Sequence, residues 1–170
     1  TVCTLAAMPN AHGGVVVSSG ANCTHVARDS RGELSIFNSE MGSLYQLPLE
    51  WLSNAERALA APHAAGVPLE MLIAGVWLPQ LMVNSLLEAG IAVPAACTVE
   101  EAAELVHAGT LPVAWRGVVT SAAQVQKISR ELITRAATWA AGLALFSVAN
   151  VAPRSSVIVA LDSAMARYLP

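Results

Sequence analysis

Lysine is almost missing from this chain. Lys127 is the sole example in 170 residues, and charged residues of all kinds make up 12%, about half of the roughly 25% usual in soluble proteins. A surface that tracks nucleic-acid phosphates needs a dense run of Lys and Arg. With nine basic residues against twelve acidic ones and a net charge of −3, no nucleic acid is expected as a partner. Cysteine is scarce too. Cys3, Cys23 and Cys97 are odd in number, far apart and without a C-x-x-C pair, which offers neither a disulfide framework nor a zinc knuckle and favours a reducing compartment. The histidines, His12, His25, His63 and His107, never fall at H-x-x-x-H spacing, so no helix-borne metal pair is expected. Gly13-Gly14 lacks the surroundings of a phosphate loop, and neither a cofactor nor a metal is expected. No charged segment followed by an apolar run opens the chain, so no signal peptide is expected.

What is present is apolar. Hydrophobic residues make up 55% of the chain, and a chain of about 150 residues buries roughly 70% of its unfolded surface. A single domain over 1–170 is therefore expected, strand-rich over 1–42 and helical over 43–170. Too few charges remain to coat a lone globule generously, and extra burial against other chains accounts for the shortage. The charges are also unevenly spread. Glu40 to Glu104 holds eight acids and one base, a net of −7, whereas Leu105 onward holds six bases and two acids, a net of +4. Either the two halves pair within the molecule, or copies meet head to tail.

Local signals give an α+β fold class, with N-terminal antiparallel strands or a hairpin over about 1–40 and a helix-dominated remainder over about 48–150. Val2–Met8 and Gly14–Ser19 read as strands, the latter through Val15-Val16-Val17. A hairpin follows across Cys23–Glu40, turning at Ser30-Arg31-Gly32. Pro48 opens a helix carrying Leu49, Leu52, Glu56 and Leu59. Pro68 opens another, which Pro79 kinks or divides and Gly90 ends. Thr98-Val-Glu-Glu101 is a capping box that starts a further helix. The longest helix is expected from Thr120 to about Val151, with Val125, Ile128, Leu132, Ala136, Trp139, Leu143 and Phe146 on its buried stripe. Its nearly charge-free second half suggests deep burial. The segment from Ser155 to Leu169 stays open between a strand, favoured by Val157-Ile158-Val159, and a helical turn.

Three readings bear on function. Met71–Leu87 and Ala136–Pro153 are uncharged over 17 and 18 residues, near the roughly 20 that span a bilayer. Pro79, Gln80 and Asn84, with no aromatic belt or basic flank, argue against a membrane, leaving a small membrane-associated helical protein as a third choice. The opening TVCTLAAMPNAHGGVVVSSG resembles the start of proteasome-type threonine hydrolases. That resemblance implies Thr1 as nucleophile and its α-amine as base, although Val17 stands where an acid is wanted and no lysine precedes Lys127. Finally, Cys23, His25 and Asn38 supply the residue types of a thiol hydrolase, and the His and Asn strands resemble those of papain-like folds.

Register decides the last reading. A three-residue loop with Gly32 left-handed makes paired residue numbers sum to 62, which sets His25 opposite Phe37 and Asn38 opposite Thr24. Alternation then sends His25 and Asn38 to opposite faces. A two-residue loop would bring Asn38 opposite Cys23. The three-residue register is expected, so no complete catalytic set emerges. The function expected from sequence is a non-enzymatic structural subunit that self-associates in many copies, as in a shell, a viral capsid or its decoration, located in the cytoplasm or a virion. A hydrolase using Thr1, or Cys23 with His25 and Asn38, is the alternative.

Overall fold

The computed structural model describes residues 13–18, 23–28, 31, 33–59, 66–94, 96–107, 110–119, 121–151 and 158–162. The fold is α+β, as expected. Strands β1 (Gly13–Ser18), β2 (Cys23–Arg28) and β3 (Leu34–Asn38) form an antiparallel meander. A strand from near the end of the chain, Ile158–Asp162, completes the sheet by running parallel to β1, from Gly14 opposite Ile158 to Ser18 opposite Asp162. The open choice at the C-terminal segment thus resolves as a strand, and the sheet order is β3-β2-β1 followed by this last strand. The expected strand at Val2–Met8 lies outside the described residues, as does Thr1.

Between β3 and that strand lie the helices. Helix α1 (Met41–Leu44) leads into a two-residue strand, β4 (Gln46–Leu47), and a 3-10 turn, Leu49–Trp51. Helix α2 (Asn54–Leu59) is followed by β5 (Val67–Pro68), α3 (Leu69–Ile73), α4 (Leu78–Glu88) and α5 (Val99–His107). The long helix α6 (Ala122–Val151) then leads to the final strand, which is β6. The helix expected to start at Pro48 is instead a 3-10 turn and a separate α2. Ser53 ends the turn with a capping box of its own: Ser53 N–H donates to Glu56 Oε2 (2.7 Å) and Glu56 N–H to Ser53 Oγ (3.2 Å). The predicted box at Thr98 is present as well, with Thr98 N–H donating to Glu101 Oε2 (2.9 Å) and Glu101 N–H to Thr98 Oγ1 (3.1 Å).

Met71–Leu87, one of the two uncharged runs, is not one helix. Ala74–Trp77 separates α3 from α4, and Pro79 sits in the first turn of α4, where its missing N–H costs no hydrogen bond. Gly90 ends α4 at φ 75°. Ile91 N–H donates to Leu86 C=O (2.9 Å) and Gly90 N–H to Leu87 C=O (3.0 Å), the two bonds of a Schellman cap, with Ile91 buried beneath it. The core gathers around α4: Leu78, Leu81, Met82 and Leu86 recur at helical spacing and pack with Leu72, Leu105, Trp115 and Val125. Each large apolar side chain buried there contributes about 1.5–3 kcal/mol.

Helix α6 crosses β1 and β2 and also packs on α3, α4 and α5. It is long and apolar enough to cross a membrane by length and composition, yet here it serves as the beam that ties sheet to helices. Its buried stripe is the expected one through Val125, Leu132, Ala136 and Leu143, with Ile128 and Trp139 half-buried. Two expectations fail toward its end. Phe146 is 50% exposed and Ser147 takes the buried place, because Ser147 falls about three turns beyond buried Ala136 and about five beyond buried Ser129, in line with both, while Phe146 is rotated off that line. The second half is also less buried than its lack of charge suggested, with Leu145 and Ala149 outside.

Candidate functional site

At the end of β3 the backbone does something costly. Glu40, which precedes α1, has φ 47° and ψ 29° and is the one non-glycine residue with positive φ among the described residues. The left-handed conformation costs a β-carbon about 1–2 kcal/mol, and such strain concentrates at functional sites. Its surroundings hold it in place. Ser39 anchors the end of β3 to β2, donating from its N–H (3.0 Å) and its hydroxyl (2.9 Å) to Cys23 C=O. Glu40 C=O receives Ser43 N–H (3.2 Å) and Leu44 N–H (3.1 Å). Its carboxylate Oε1 accepts from Asn38 Nδ2.

A second carboxylate is tied to α1 itself. Leu69 N–H donates to Tyr45 C=O (2.8 Å), which fixes the start of α3 to the end of α1. Glu70, one residue on, accepts from the Ser43 hydroxyl at Oε2 (3.1 Å). Two side-chain pairs, Asn38 with Glu40 and Ser43 with Glu70, are thus set at the two ends of α1's first turn, joined through the Ser43 N–H on Glu40 C=O. Each carboxylate has one side-chain donor and keeps further acceptor positions. Two negative charges here repel phosphate or carboxylate and accept hydrogen bonds from hydroxyls, which are short and strong when the acceptor is ionised. The arrangement suits a ligand that brings hydrogen-bond donors, hydroxyls among them.

The sequence reading did not single out Glu40 or Glu70. The signal for Glu40 was slight: an acid two residues after Asn38 and two before Gly42, with nothing in its type to announce a left-handed backbone. Asn38, expected beside a histidine, is here the partner of Glu40. The expected register holds, with Thr24 opposite Asn38 and His25 opposite Phe37, so Asn38 shares a face with Thr24 while Cys23 and His25 share the other. The structure does not bring the three together. Cys23 is fully buried, and burial pushes its thiol pKa up, partly offset by a hydrogen bond with Ser147. His25 is 3% exposed, and burial lowers its pKa. A raised thiol under a helix is a poor nucleophile.

A concavity of about 540 Å³ lies elsewhere, between α2, α4 and α6, and its polar lining is structural. Glu56, 2% exposed, pairs with Arg135 through Nε to Oε1 (2.6 Å) and Nη2 to Oε2 (3.0 Å). Arg135 Nη2 also reaches Trp51 C=O (3.0 Å), and the guanidinium lies 5.8 Å from the Trp139 ring centroid. Glu88 accepts Ala55 N–H (2.9 Å) in the first turn of α2. The acidic middle and basic end of the chain are joined by this pair inside one molecule.

Among solved structures, the chain is similar to a hexokinase crystal structure, with a TM-score of 0.62 and 20% sequence identity. The match covers 92% of this chain and 40% of the hexokinase chain, so the chain spans about two fifths of that protein's length. No family model and no curated protein matches the sequence. At 20% identity the likeness is one of fold. It corrects the expectation of a capsid, virion or shell subunit, and with it the hydrolase and membrane-protein alternatives: the architecture is similar to that of part of a hexokinase. Of the acidic and basic segments that prompted the shell reading, Glu56 and Arg135 pair within one molecule.

Proposed function

We propose that this chain is the sugar-binding part of a hexokinase-type enzyme and that Asn38, Glu40, Ser43 and Glu70 receive the hydroxyls of a hexose. The observation that carries the reading is the left-handed Glu40, held beside Asn38 and across Ser43 from Glu70. A glycine there would relieve the backbone; a glutamate brings to the turn a carboxylate that glycine lacks. The likeness to a hexokinase supplies the ligand class. These residues account for sugar binding and not for the phosphoryl-transfer step.

Isothermal titration of the chain with glucose tests the reading. Saturable binding is expected, and Glu40→Gln and Glu70→Gln should each weaken it by roughly 10-fold or more, the worth of a hydrogen bond to a charged acceptor. Absence of saturable binding, or variants that bind like the parent, contradicts it.

A further inference from the structure

Helix α6 buries two serines completely, Ser129 and Ser147. They stand about five turns apart and so lie on one face of the helix. Each donates to a methionine sulfur: Ser129 Oγ to Met82 Sδ (3.5 Å) and Ser147 Oγ to Met41 Sδ (3.4 Å). A thioether is a weak acceptor, and a buried hydroxyl is costly without a good partner. Alanine would suit both the stripe and the helix better. Stability alone therefore gives little reason for a serine at 147.

Its location gives a better one. Met41 follows the strained Glu40 directly and begins α1. The Ser147 side chain also shares a hydrogen bond with Cys23, the first residue of β2. Cys23 is in turn the residue whose carbonyl receives both Ser39 donors. Ser147 thus touches the two anchors on either side of the Glu40 turn. We propose that Ser147 is a positioning residue for the carboxylate site: its hydroxyl holds Met41 against β2 and keeps Glu40 in its left-handed conformation. The inference deepens the sugar-binding reading and rests on it for its functional meaning.

Amide hydrogen exchange separates the two. In Ser147→Ala, exchange at Ser43 and Leu44, whose N–H groups are bonded to Glu40 C=O, should speed up roughly five-fold, the worth of one net hydrogen bond. Glucose affinity should fall with it. Ser147→Cys, which keeps a donor, should restore both, and Ser129→Ala should leave both unchanged. Met41→Leu removes the acceptor at similar volume and should reproduce the Ser147→Ala exchange, which covers the case of a poorly folded alanine variant. Unchanged exchange at Ser43 and Leu44 in Ser147→Ala and Met41→Leu, or equal acceleration in Ser129→Ala, overturns the proposal. If the parent chain does not bind glucose, the sugar reading fails alone and the exchange pattern still decides the role of Ser147.

Discussion

Glu40 concentrates the conflict between folding and function in one residue. Its backbone conformation is one that glycine adopts without strain, so Glu40→Gly should raise stability by about 0.5–1 kcal/mol in urea denaturation while abolishing measurable glucose binding. A variant that is both less stable and still binding contradicts the assignment. The buried titratable groups make separate predictions. Burial lowers the His25 pKa from its ordinary 6.5, so at slightly acidic pH the unfolded chain binds a proton that the folded chain does not. The contribution of His25 to stability is complete above about pH 6.5 and is lost as the pH falls toward the lower folded-state value; His25→Gln should flatten that part of the stability profile. Cys97 is pushed up to about 12 by burial and by the neighbouring Glu101, and Cys23 is also raised. Iodoacetamide at pH 8 should therefore label Cys23, which is fully buried, at a rate limited by unfolding, and Cys97, which is part-exposed, slowly in the native protein, as mass spectrometry across a urea series would reveal. These residues show where a sequence falls silent: side-chain type announces cysteines and histidines readily, but the cost of one backbone angle at Glu40 has no letter of its own.

Elements were legible where their signals were local. The capping box at Thr98, the glycine stop at Gly90 and the hairpin register, which pairs Thr24 with Asn38, follow from contacts within a few residues. The box at Ser53 has the same S-x-x-E pattern, but Pro48 drew the helix start six residues early, ahead of the intervening 3-10 turn. The β4–β5 ladder escaped because each strand has two residues, too few for any alternation. Gly66 is what permits it. A β-carbon there would lie 2.8 Å from Leu47 C=O, a backbone atom that cannot step aside, so Gly66→Ala should cost about 1–3 kcal/mol, measured as a shift of the urea midpoint. Along α6 the stripe was readable as far as Leu143 and then slipped, since Phe146 attracts the eye as core whereas the turn of the helix delivers Ser147. Arg135 links this helix to α2 through a carboxylate that is almost wholly buried. Arg135→Met should therefore destabilise the protein by about 2–3 kcal/mol at neutral pH, with Glu56 left charged and unpaired; in the double variant with Glu56→Gln, much of that loss should return.

At the scale of the molecule, three antiparallel strands meet a fourth that arrives parallel through a 30-residue helix. That topology was out of reach from one sequence. The class was legible because the N-terminal run is β-branched and the middle is helical in period, but the pairing of β6 with β1 joins residues more than 140 positions apart, for which no local pattern exists. Function went astray for a related reason. Scarce charge and a polarised distribution are whole-chain properties shared by unrelated proteins, whereas the corner that now carries the functional reading is assembled from residues 38, 40, 43 and 70 by the fold itself. The account stands or falls on a sugar occupying that corner. A crystal structure of the chain grown with saturating glucose is the direct measurement: the account predicts sugar hydroxyls within hydrogen-bonding distance of both the Glu40 and Glu70 carboxylates. A glucose molecule seated instead in the concavity beside Trp51 and Arg135, or a corner that stays free of sugar at saturation, would contradict it.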